Sequence, residues 1–571
     1  MLAGSLLYSP RGHAQTPAWQ LALLAPSVGG GSADIRVVEP LANGDFYLAG
    51  SFYGSVQLGN LTLTSTGSVD GFVARYQPST NTVVWAQQLT GPQNEHFGQL
   101  VVRGFTIYVT GSFFGDYMRV GGQILVNSGP VTGYSCDSFV LKLTDTGTQA
   151  SLGWVYQLRG AGSEQVQAVA DDGALLYVGG EFDSPTLDLG SSSLPLTPPL
   201  PGGSPAPDGF VLALRDTGTS ADVQWTLAVG SASLATVKAL AVYGSTLYVG
   251  GEHLSVSGSP TRFDGIGLPA APTLTGFVGK LALAGSQRTS VWVQELPNST
   301  SVELNSLAAT STGVYACGSF RGPSLTIGPS LLTGIYSTEA YVARLLDNGS
   351  QAQWAWGRSM GGFDYDRATT VLTDGQGAYV VGYFNSPTLT LGGNTLVNPL
   401  PLPRLTYDVF VTYLTAAGSF GAAQQVGGPG SAYLSTLALA AGQLYVAGSF
   451  SGVATFGSQS LTALNGTSTA FVATLPTVLL GQARAATLPS LALLPNPAHG
   501  RAELRLPAGT GVTPFGITML DALGRVVQRR EVAAAASGQT IGLNLAGLAP
   551  GVYAVRVQQG AAQAVQKLVA E

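Results

Sequence analysis

The segment Tyr47-Leu-Ala-Gly-Ser-Phe52 decides the fold of this chain, because close versions of it recur along the sequence. The copies begin at intervals of about 61 to 71 residues, and such regular self-similarity is typical of repeat architectures. The later copies are Tyr108–Phe113, Tyr177–Phe182, Tyr248–His253, Tyr315–Phe320, Tyr379–Phe384 and Tyr445–Phe450.

Two further markers follow each copy. The first is a segment such as Asp70-Gly-Phe-Val-Ala-Arg-Tyr76, and in most repeats the second is a strand centred on a tryptophan such as Trp85. Alternation of apolar and polar residues predicts four strands in each repeat, at about 98–102, 106–113, 137–143 and 153–158 in the second one. Four antiparallel strands repeated around an axis are typical of a β-propeller blade.

The two ends of the repeat region complement each other. The seventh repeat stops after its third strand, at Leu475, whereas residues 18–23 form a tryptophan-centred strand with no strands before it. We expect this N-terminal strand to complete the last blade and so to remove the exposed edge of an open array. The predicted fold class is all-β, with a seven-bladed β-propeller over residues 16–475 closed by an N-terminal strand.

A glycine recurs inside the second strand of every repeat. A glycine there costs about 0.5–1 kcal/mol relative to alanine, so a structural reason must offset the cost. We expect the missing side chain to let neighbouring blades approach each other near the axis. The positions are Gly50, Gly111, Gly180, Gly251, Gly318, Gly382 and Gly448.

The composition excludes several classes of protein. The net charge of -6 argues against nucleic-acid binding, which rewards clustered Lys and Arg. No run of about 18 apolar residues is present, so no membrane span is predicted. The two cysteines, Cys136 and Cys317, fall in different repeats, and we expect two buried, inert thiols rather than a disulfide framework.

The loops of one face are the predicted ligand-binding region. With Trp19 on an outermost strand, the fourth-to-first and second-to-third connections emerge together. The second-to-third connections are long, usually hold a small hairpin, and in places add Pro-rich excursions, as at 195–207, 268–272 and 398–403. Variable loops on a rigid scaffold often carry binding, although neutral loop growth is an equally good explanation.

No catalytic, cofactor-binding or metal-binding constellation is evident, and we expect none. The four histidines are His13, His96, His253 and His499, without metal-ligand spacing, and His253 takes the place of a repeat Phe. Acidic residues Asp70, Asp137, Asp208 and Asp408 stand where a loop enters a strand, which favours capping of the local backbone. Glu181 and Glu252, at one repeat position of adjacent blades, are the best remaining carboxylate pair, with a catalytic role disfavoured.

The chain end has a different pattern. A linker at 476–490 precedes residues 491–571, where alternating strands predict a small, immunoglobulin-like β-sandwich of about seven strands. Three motifs stand out: Pro-Asn-Pro-x-x-Gly, Asp-x-x-Gly-Arg and Leu-x-x-Gly-x-Tyr, followed by a late lysine. Their residues are Pro495, Asn496, Pro497, Gly500, Asp521, Gly524, Arg525, Gly551, Tyr553 and Lys567.

These motifs, in this order, resemble the type A C-terminal sorting domain of the type IX secretion system. The resemblance implies partnership with that machinery and export to the medium or outer cell surface of a Gram-negative bacterium. In that family the tail is normally cleaved, and the cargo is released or attached to lipopolysaccharide. The repeats also look like those of large bacterial surface proteins. Residues 1–15 are interpreted as a truncated signal-peptide remnant, with a disordered leader as the alternative.

The sequence therefore predicts a secreted or cell-surface protein that binds a glycan or a protein and is not an enzyme. The alternative is an extracellular hydrolase or lyase acting on polysaccharide. That alternative requires carboxylates, Tyr or His at the central mouth of the propeller.

Overall fold

The computed structural model describes residues 19–130, 135–255, 259–296, 301–334, 337–398, 406–464, 466–477, 491–506, 514–521, 525–533, 539–559 and 562–571. The chain divides into two compact units, Met1–Gln482 and Ala483–Glu571. Every element assigned within the described residues is a β-strand, which makes the class all-β. The predicted N-terminal remnant at 1–15 and most of the predicted linker lie outside the described residues.

In the first unit, the described strands form seven groups of four antiparallel strands, here called sheets 1 to 7. The first strands are β2 (Ser27–Pro40), β7 (Glu95–Arg103), β13 (Glu164–Asp171), β19 (Leu234–Tyr243), β25 (Ser301–Thr310), β31 (Asp366–Thr373) and β37 (Ala432–Ala440). The second strands are β3 (Phe46–Leu58), β8 (Thr106–Phe114), β14 (Leu176–Phe182), β20 (Thr246–Leu254), β26 (Gly313–Arg321), β32 (Gly377–Phe384) and β38 (Gln443–Ser451). The third strands are β5 (Asp70–Gln77), β11 (Cys136–Asp145), β17 (Asp208–Asp216), β23 (Thr275–Ala284), β29 (Thr338–Asp347), β35 (Asp408–Thr415) and β41 (Ser468–Pro476). The fourth strands are β6 (Thr82–Leu89), β12 (Ala150–Leu158), β18 (Ala221–Gly230), β24 (Gln287–Glu295), β30 (Ala352–Met360), β36 (Phe420–Gly427) and, for sheet 7, β1 (Gln20–Ala25).

The fourth strand of sheet 7 comes from the start of the described chain. Strand β1 pairs antiparallel with β41, from Gln20 opposite Thr474 to Ala25 opposite Ala470. This is the pairing expected from the sequence. Sheet 7 also shares a buried core with sheet 1, in which Leu23 and Ala447 pack with Phe46. The other neighbouring sheets share cores in the same way, so apolar packing links each sheet to the next and the last to the first.

Short strands fill the connections between second and third strands. They are β4 (Leu61–Thr64), which pairs with the extended end of β3, and the hairpins β9 (Tyr117–Val120) with β10 (Gln123–Val126), β15 (Thr186–Asp188) with β16 (Ser193–Pro195), β21 (Arg262–Phe263) with β22 (Ile266–Gly267), β27 (Ser324–Ile327) with β28 (Ser330–Thr333), β33 (Thr388–Leu391) with β34 (Asn394–Val397), and β39 (Val453–Phe456) with β40 (Gln459–Thr462). Two hairpins extend the preceding sheet, where β21 pairs with β18 and β39 with β36. Pairing of this kind covers sheet edges, which is a structural role for these two hairpins.

The repeated glycine has a different cause from the predicted one. In each first strand the pairing register shifts by a β-bulge next to this glycine. A Cβ added at Gly318 would lie 2.0 Å from the carbonyl oxygen of Glu303. At the six equivalent glycines, an added Cβ would lie 1.9 to 2.4 Å from the corresponding carbonyl oxygen of the first strand in the same sheet. The prediction of a close approach between neighbouring blades is therefore wrong for this glycine. A bulged carbonyl of its own sheet occupies the space.

In sheets 1 and 2, the tyrosine and tryptophan markers converge on an aspartate of the next sheet. Tyr108, Lys142 and Trp154 of sheet 2 all contact the carboxylate of Asp216, through the phenol at 2.7 Å, the ammonium at 2.7 Å and the indole N–H at 2.9 Å. Burial opposes the charge of Asp216, but the lysine and these donors hold its pKa below the usual range. In these two sheets the markers thus fasten each sheet to the next, whereas Tyr177 of sheet 3 donates to Asp172 of its own sheet at 2.6 Å.

The acidic residues at the start of third strands also have structural partners. That of Asp70 is local, as expected, since its carboxylate accepts the N–H of Thr66 at 3.0 Å, whereas those of Asp208 are not. Asp208 accepts the N–H of Thr197 at 2.6 Å and the N–H of Ser231 at 2.8 Å. These donors lie in the connections before and after the two outer strands of sheet 3. The carboxylate therefore fastens two loops instead of capping its own turn.

The second unit has seven described strands in two sheets. They are β42 (Ala492–Leu494), β43 (Arg501–Leu506), β44 (Phe515–Leu520), β45 (Val526–Val532), β46 (Gln539–Asn544), β47 (Gly551–Gln559) and β48 (Ala562–Ala570). The sheet orders are β42-β43-β46 and β45-β44-β47-β48. Both sheets contribute to one buried core, which includes Leu504, Phe515 and Val555.

Candidate functional site

Seven residue pairs occupy one place in the seven sheets, directly before the bulge of the first strand. Each pair, here called a rim pair, joins a first-strand residue to the residue that follows the repeated glycine. The rim pairs are Asp34/Ser51, His96/Ser112, Gln165/Glu181, Thr236/Glu252, Glu303/Ser319, Arg367/Tyr383 and Tyr433/Ser449.

The bulges bring residues of many sheets to shared cavities. One cavity of about 220 Å³ is lined by Gln167, Lys238, Asn305, Thr369 and Ser435, among others, from sheets 2 to 7. A second cavity of about 590 Å³ is lined by residues of sheets 7, 1, 2 and 3, including Asp34, Arg36, His96, Gln165 and Ser435. The first strands therefore converge, and polar side chains line the space between them.

Glu252 is a buried carboxylate at this place. One of its oxygens accepts the N–H of Leu304 in the next sheet at 3.0 Å, and the other lies 3.9 Å from Nζ of Lys238. Burial raises the pKa of Glu252 to about 7, with Lys238 opposing the rise and Glu303 adding to it. Near neutral pH this group is therefore poised between its two protonation states.

Glu303 and Arg367 form an ion pair across sheets 5 and 6. The guanidinium Nη2 lies 2.8 Å from Glu303 Oε2 and also donates to Oδ1 of Asn305 at 3.0 Å. The hydroxyl of Ser319 donates to the same carboxylate at 3.0 Å. These partners hold Glu303 in place and satisfy its charge.

The opposite side of the rim carries Asp34 and His96. Arg36 lies 3.5 Å from the Asp34 carboxylate and donates to the carbonyl oxygen of Phe97 at 3.3 Å. Ser435 of sheet 7 donates to Asp34 at 3.2 Å. Burial, aided by the charge of Arg36, lowers the pKa of His96. His96 is therefore a neutral imidazole over most of the physiological range.

Four tyrosines cluster beside Arg367. Tyr365 precedes β31, Tyr383 is in β32, Tyr407 precedes β35 and Tyr433 is in β37. Tyr365 and Tyr383 stack with ring centroids 6.3 Å apart, and Tyr407 lies 5.4 Å from Tyr383 and 5.5 Å from Tyr433. These residues are here called the tyrosine cluster.

The structure changes the set of notable carboxylates. Glu181 and Glu252 stand in neighbouring rim pairs, as their repeat positions imply, and burial raises the pKa of Glu181 while Lys238 opposes it. The charge of Glu303 acts on Glu252, and Glu303 was not among the residues selected from the sequence. An alignment of the seven first strands could have selected Glu303 and Arg367, because they match Asp34 in register.

Other residues selected from the sequence have internal partners. The ring of His253 is buried, with Nδ1 2.9 Å from the Thr261 hydroxyl and Nε2 2.9 Å from Glu295. Cys136 and Cys317 are free and buried, and burial raises the pKa of both thiols. Among the described residues, no group of three or more His, Cys, Asp or Glu is arranged to hold a metal ion.

In the second unit the motif residues connect distant strands. Asn496 donates its side-chain amide to the Lys567 carbonyl at 2.6 Å and accepts the N–H of Val569 at 2.8 Å, which attaches the Pro-Asn-Pro segment to β48. Arg525 binds Asp521 through its backbone N–H at 3.0 Å and its Nε at 2.8 Å.

The remaining motif residues lie at turns and strand ends. Tyr553 is buried and donates its hydroxyl to the carbonyl of Ala549 at 2.7 Å. Gly500 has φ of +66°, which favours glycine, and Gly551 begins β47. Pro495 and Pro497 flank Asn496. Gly524 lies outside the described residues.

Residues 492–571 match a family model described as a secretion system C-terminal sorting domain. These residues are a type IX secretion sorting domain, which implies export of the protein through that system. In the part of the chain that the structure describes, no helix has the length and apolarity needed to cross a membrane.

No curated protein matches the chain. Among solved structures, the chain is similar to the extracellular domain of a hybrid two-component system from B. thetaiotaomicron, at 8% identity over 97% of this chain and 99% of that one, with a TM-score of 0.17. It is also similar to a mutant Trypanosoma rangeli sialidase with trans-sialidase activity, at 11% identity over 95% and 88% of the two chains, with a TM-score of 0.31. A glycoside hydrolase of family 32 from Bifidobacterium adolescentis matches at 10% identity over 97% and 94%, with a TM-score of 0.23. At these TM-scores the similarities support no inference about fold or activity.

Proposed function

We propose that this protein is a non-enzymatic binding module, exported by the type IX system, that holds a glycan or protein ligand at the rim pairs. The first unit is proposed to be a closed seven-bladed β-propeller, and the second an immunoglobulin-like sandwich. Closure is supported by the pairing of β1 with β41 and by the core shared between sheets 7 and 1. The exported cargo is proposed to act in the medium or on the outer cell surface.

This proposal rests on a difference in sequence between the rim pairs, which vary from sheet to sheet, and the surrounding scaffold residues, which repeat. Around each rim pair the sheets repeat the same glycine and nearly the same aromatic residues, because the same packing recurs. The rim pairs differ in charge, size and aromatic character from one sheet to the next. Repetition serves a repeated scaffold, whereas an asymmetric polar rim suits one asymmetric ligand.

Binding at the rim is tested with the full chain on glycan and protein arrays. Lys238→Gln and His96→Ala change the rim and its lining, and both are expected to weaken a ligand signal at least tenfold with little change in melting temperature. Exchange of residues 198–206, the part of the Pro-rich excursion beyond Thr197, for a short Gly-Ser loop is the matched control. If the loop exchange abolishes the ligand signal and neither Lys238→Gln nor His96→Ala weakens it, the ligand does not bind at the rim pairs. If no ligand is found on either array, the proposed binding function is wrong.

A second candidate is an extracellular hydrolase or lyase acting on polysaccharide. It is favoured by Glu252, whose pKa of about 7 suits a proton donor, acting beside the charge-paired Glu303. His96 and Tyr383 are further residues of the kind that such an enzyme would use at this place.

The second candidate is tested by incubating the chain with a panel of neutral and uronate-containing polysaccharides. New reducing ends would report hydrolysis, and absorbance of an unsaturated product would report lyase action. Products that form with the unaltered chain and disappear with Glu252→Gln would replace the binding proposal. No products, together with ligand binding that survives Glu252→Gln, would exclude this candidate.

A further inference from the structure

The tyrosine cluster is not a requirement of the repeat. For each of the four tyrosines, the equivalent positions of the other six sheets carry no tyrosine. The equivalents of Tyr365 are Ser32, Asn94, Ser163, Leu234, Ser301 and Ser431, and those of Tyr383 are Ser51, Ser112, Glu181, Glu252, Ser319 and Ser449. Since five sheets are built without any of these rings, packing of the scaffold does not explain four of them in one place.

The cluster also differs from the scaffold tyrosines in how its hydroxyls are used. Tyr47 and Tyr248 donate their hydroxyls to Asp145 and Asp347 at 2.8 and 2.6 Å. Among the described residues, no hydrogen bond uses the hydroxyl of Tyr407 or of Tyr433. Tyr433 is 39% exposed, so its ring and its hydroxyl are both open to a ligand. The cluster therefore offers aromatic faces together with free donors and acceptors.

The charges beside the cluster do not favour an anionic ligand, because the carboxylate of Asp364 acts on Tyr407. Among the described residues, Arg367 is a cation that interacts with Tyr365 and Tyr383, and its charge is already met by Glu303 at 2.8 Å, with a further bond to Asn305. A strongly anionic ligand would have to break this pair and leave the Glu303 carboxylate without its counter-charge, which is costly. The cluster thus suits a neutral ligand that combines apolar C–H faces with hydroxyl groups.

We infer that the tyrosine cluster is a subsite for a neutral hexopyranose unit of a glycan. The sugar would lie on the rings of Tyr433 and Tyr407 and form hydrogen bonds with their hydroxyls. The end of the sugar away from these rings would face Arg367. This inference rests on the proposed binding function and narrows its ligand class. The preference for a neutral sugar would come from the tyrosine rings, because these rigid side chains lose little conformational entropy on binding.

The test uses the full chain and titration calorimetry with neutral hexasaccharides of glucose, mannose and galactose, beside a uronate hexasaccharide and a sulfated one. At least one neutral sugar is expected to bind, and Tyr433→Ala is expected to weaken it at least tenfold. Tyr433→Phe keeps the ring and is expected to weaken binding only a few-fold. Tyr243→Ala removes a half-exposed tyrosine at the far end of β19 and is expected to leave binding unchanged.

Four results would overturn the inference. One is preferential binding of the charged sugars, and another is a neutral sugar that binds equally well to Tyr433→Ala. If a neutral sugar binds Tyr433→Ala normally but does not bind Lys238→Gln, the ligand still binds at the rim, and only the subsite at the tyrosine cluster is wrong. The third is binding of a protein from the array, but of no sugar, which would retain the binding function with a different ligand class. If no probe binds at all, both proposals fail.

Discussion

Trp19 packs edge-on against Phe456, with ring centroids 6.0 Å apart, although one residue lies near the start of the described chain and the other in the seventh repeat. Trp19 is buried in the core shared by sheets 6 and 7, directly before β1. The contact fastens the N-terminal strand to the hairpin β39–β40.

Loss of this contact is expected to destabilise the first unit. Trp19→Ala removes a buried aromatic side chain and should lower the free energy of unfolding by about 3–5 kcal/mol. The indole Nε1 is buried without a partner among the described residues, so Trp19→Phe should cost much less than the alanine variant. Urea unfolding followed by tryptophan fluorescence measures both, and equal stability of Trp19→Ala and the unaltered chain would contradict the proposed closure.

The repeated glycine provides a second prediction. Gly318→Ala would place Cβ 2.0 Å from the Glu303 carbonyl oxygen, which belongs to the backbone and cannot rotate away. We expect a loss of about 3 kcal/mol or more in stability, since overpacking forces the bulge to move. Gly267→Ala is the matched control, because an added Cβ there meets no atom within 4 Å. Similar melting temperatures for the two variants would show that the bulge accommodates the methyl group.

Buried carboxyl groups at the sheet boundaries should make stability depend on pH. Burial, with Asp70 adding to it, raises the pKa of Glu95 to about 8, and burial with Asp137 raises the pKa of Glu164 to about 8. Between the usual glutamate pKa and about 8, the folded chain holds protons that the unfolded chain has released. Their contribution to stability is therefore complete below pH 4.5 and is lost as pH rises towards 8.

Glu95→Gln tests this dependence, because the amide imitates the protonated carboxyl and does not titrate. Melting temperatures measured from pH 5 to 9 should fall with rising pH for the unaltered chain, and should fall less for Glu95→Gln. The variant is expected to be the more stable protein at pH 8.5. Asp222→Asn, at an exposed position of β18, should reproduce the slope of the unaltered chain. A parallel slope in Glu95→Gln would mean that Glu95 stays ionised when folded.

The sorting domain supplies the fourth prediction. Asn496 joins two backbone groups of β48, so Asn496→Ala leaves a carbonyl and an N–H without this partner. We expect a loss of about 1–3 kcal/mol in the stability of the second unit and a several-fold fall in the secreted fraction. Immunoblots of cell and medium fractions measure the latter. Arg530→Ala, at an exposed position of β45, is the control, and normal export of Asn496→Ala would contradict a role for this bridge.

The sequence predicted what local periodicity encodes. In the second repeat the four predicted strands lie within the observed β7, β8, β11 and β12, because alternation of apolar and polar residues marks the strand period. The spare strand at Trp19 was found in the same way. The sorting domain was recognised from short motifs whose spacing is itself sequence information, and the family match confirms it.

The tertiary structure alone decided which side chains meet. The bulge in each first strand shifts the register, and the carbonyl that it exposes, rather than a neighbouring blade, explains the glycine at Gly318. The tyrosine cluster consists of residues from four separate segments of two sheets, so no local sequence pattern predicts that these residues lie together. Pairs such as Asp70 with Glu95 depend on how one sheet packs against the next. The strand period and the turn residues are local properties that can be predicted from the sequence. Strand register, bulges and packing between sheets depend on contacts that form only when the whole chain folds.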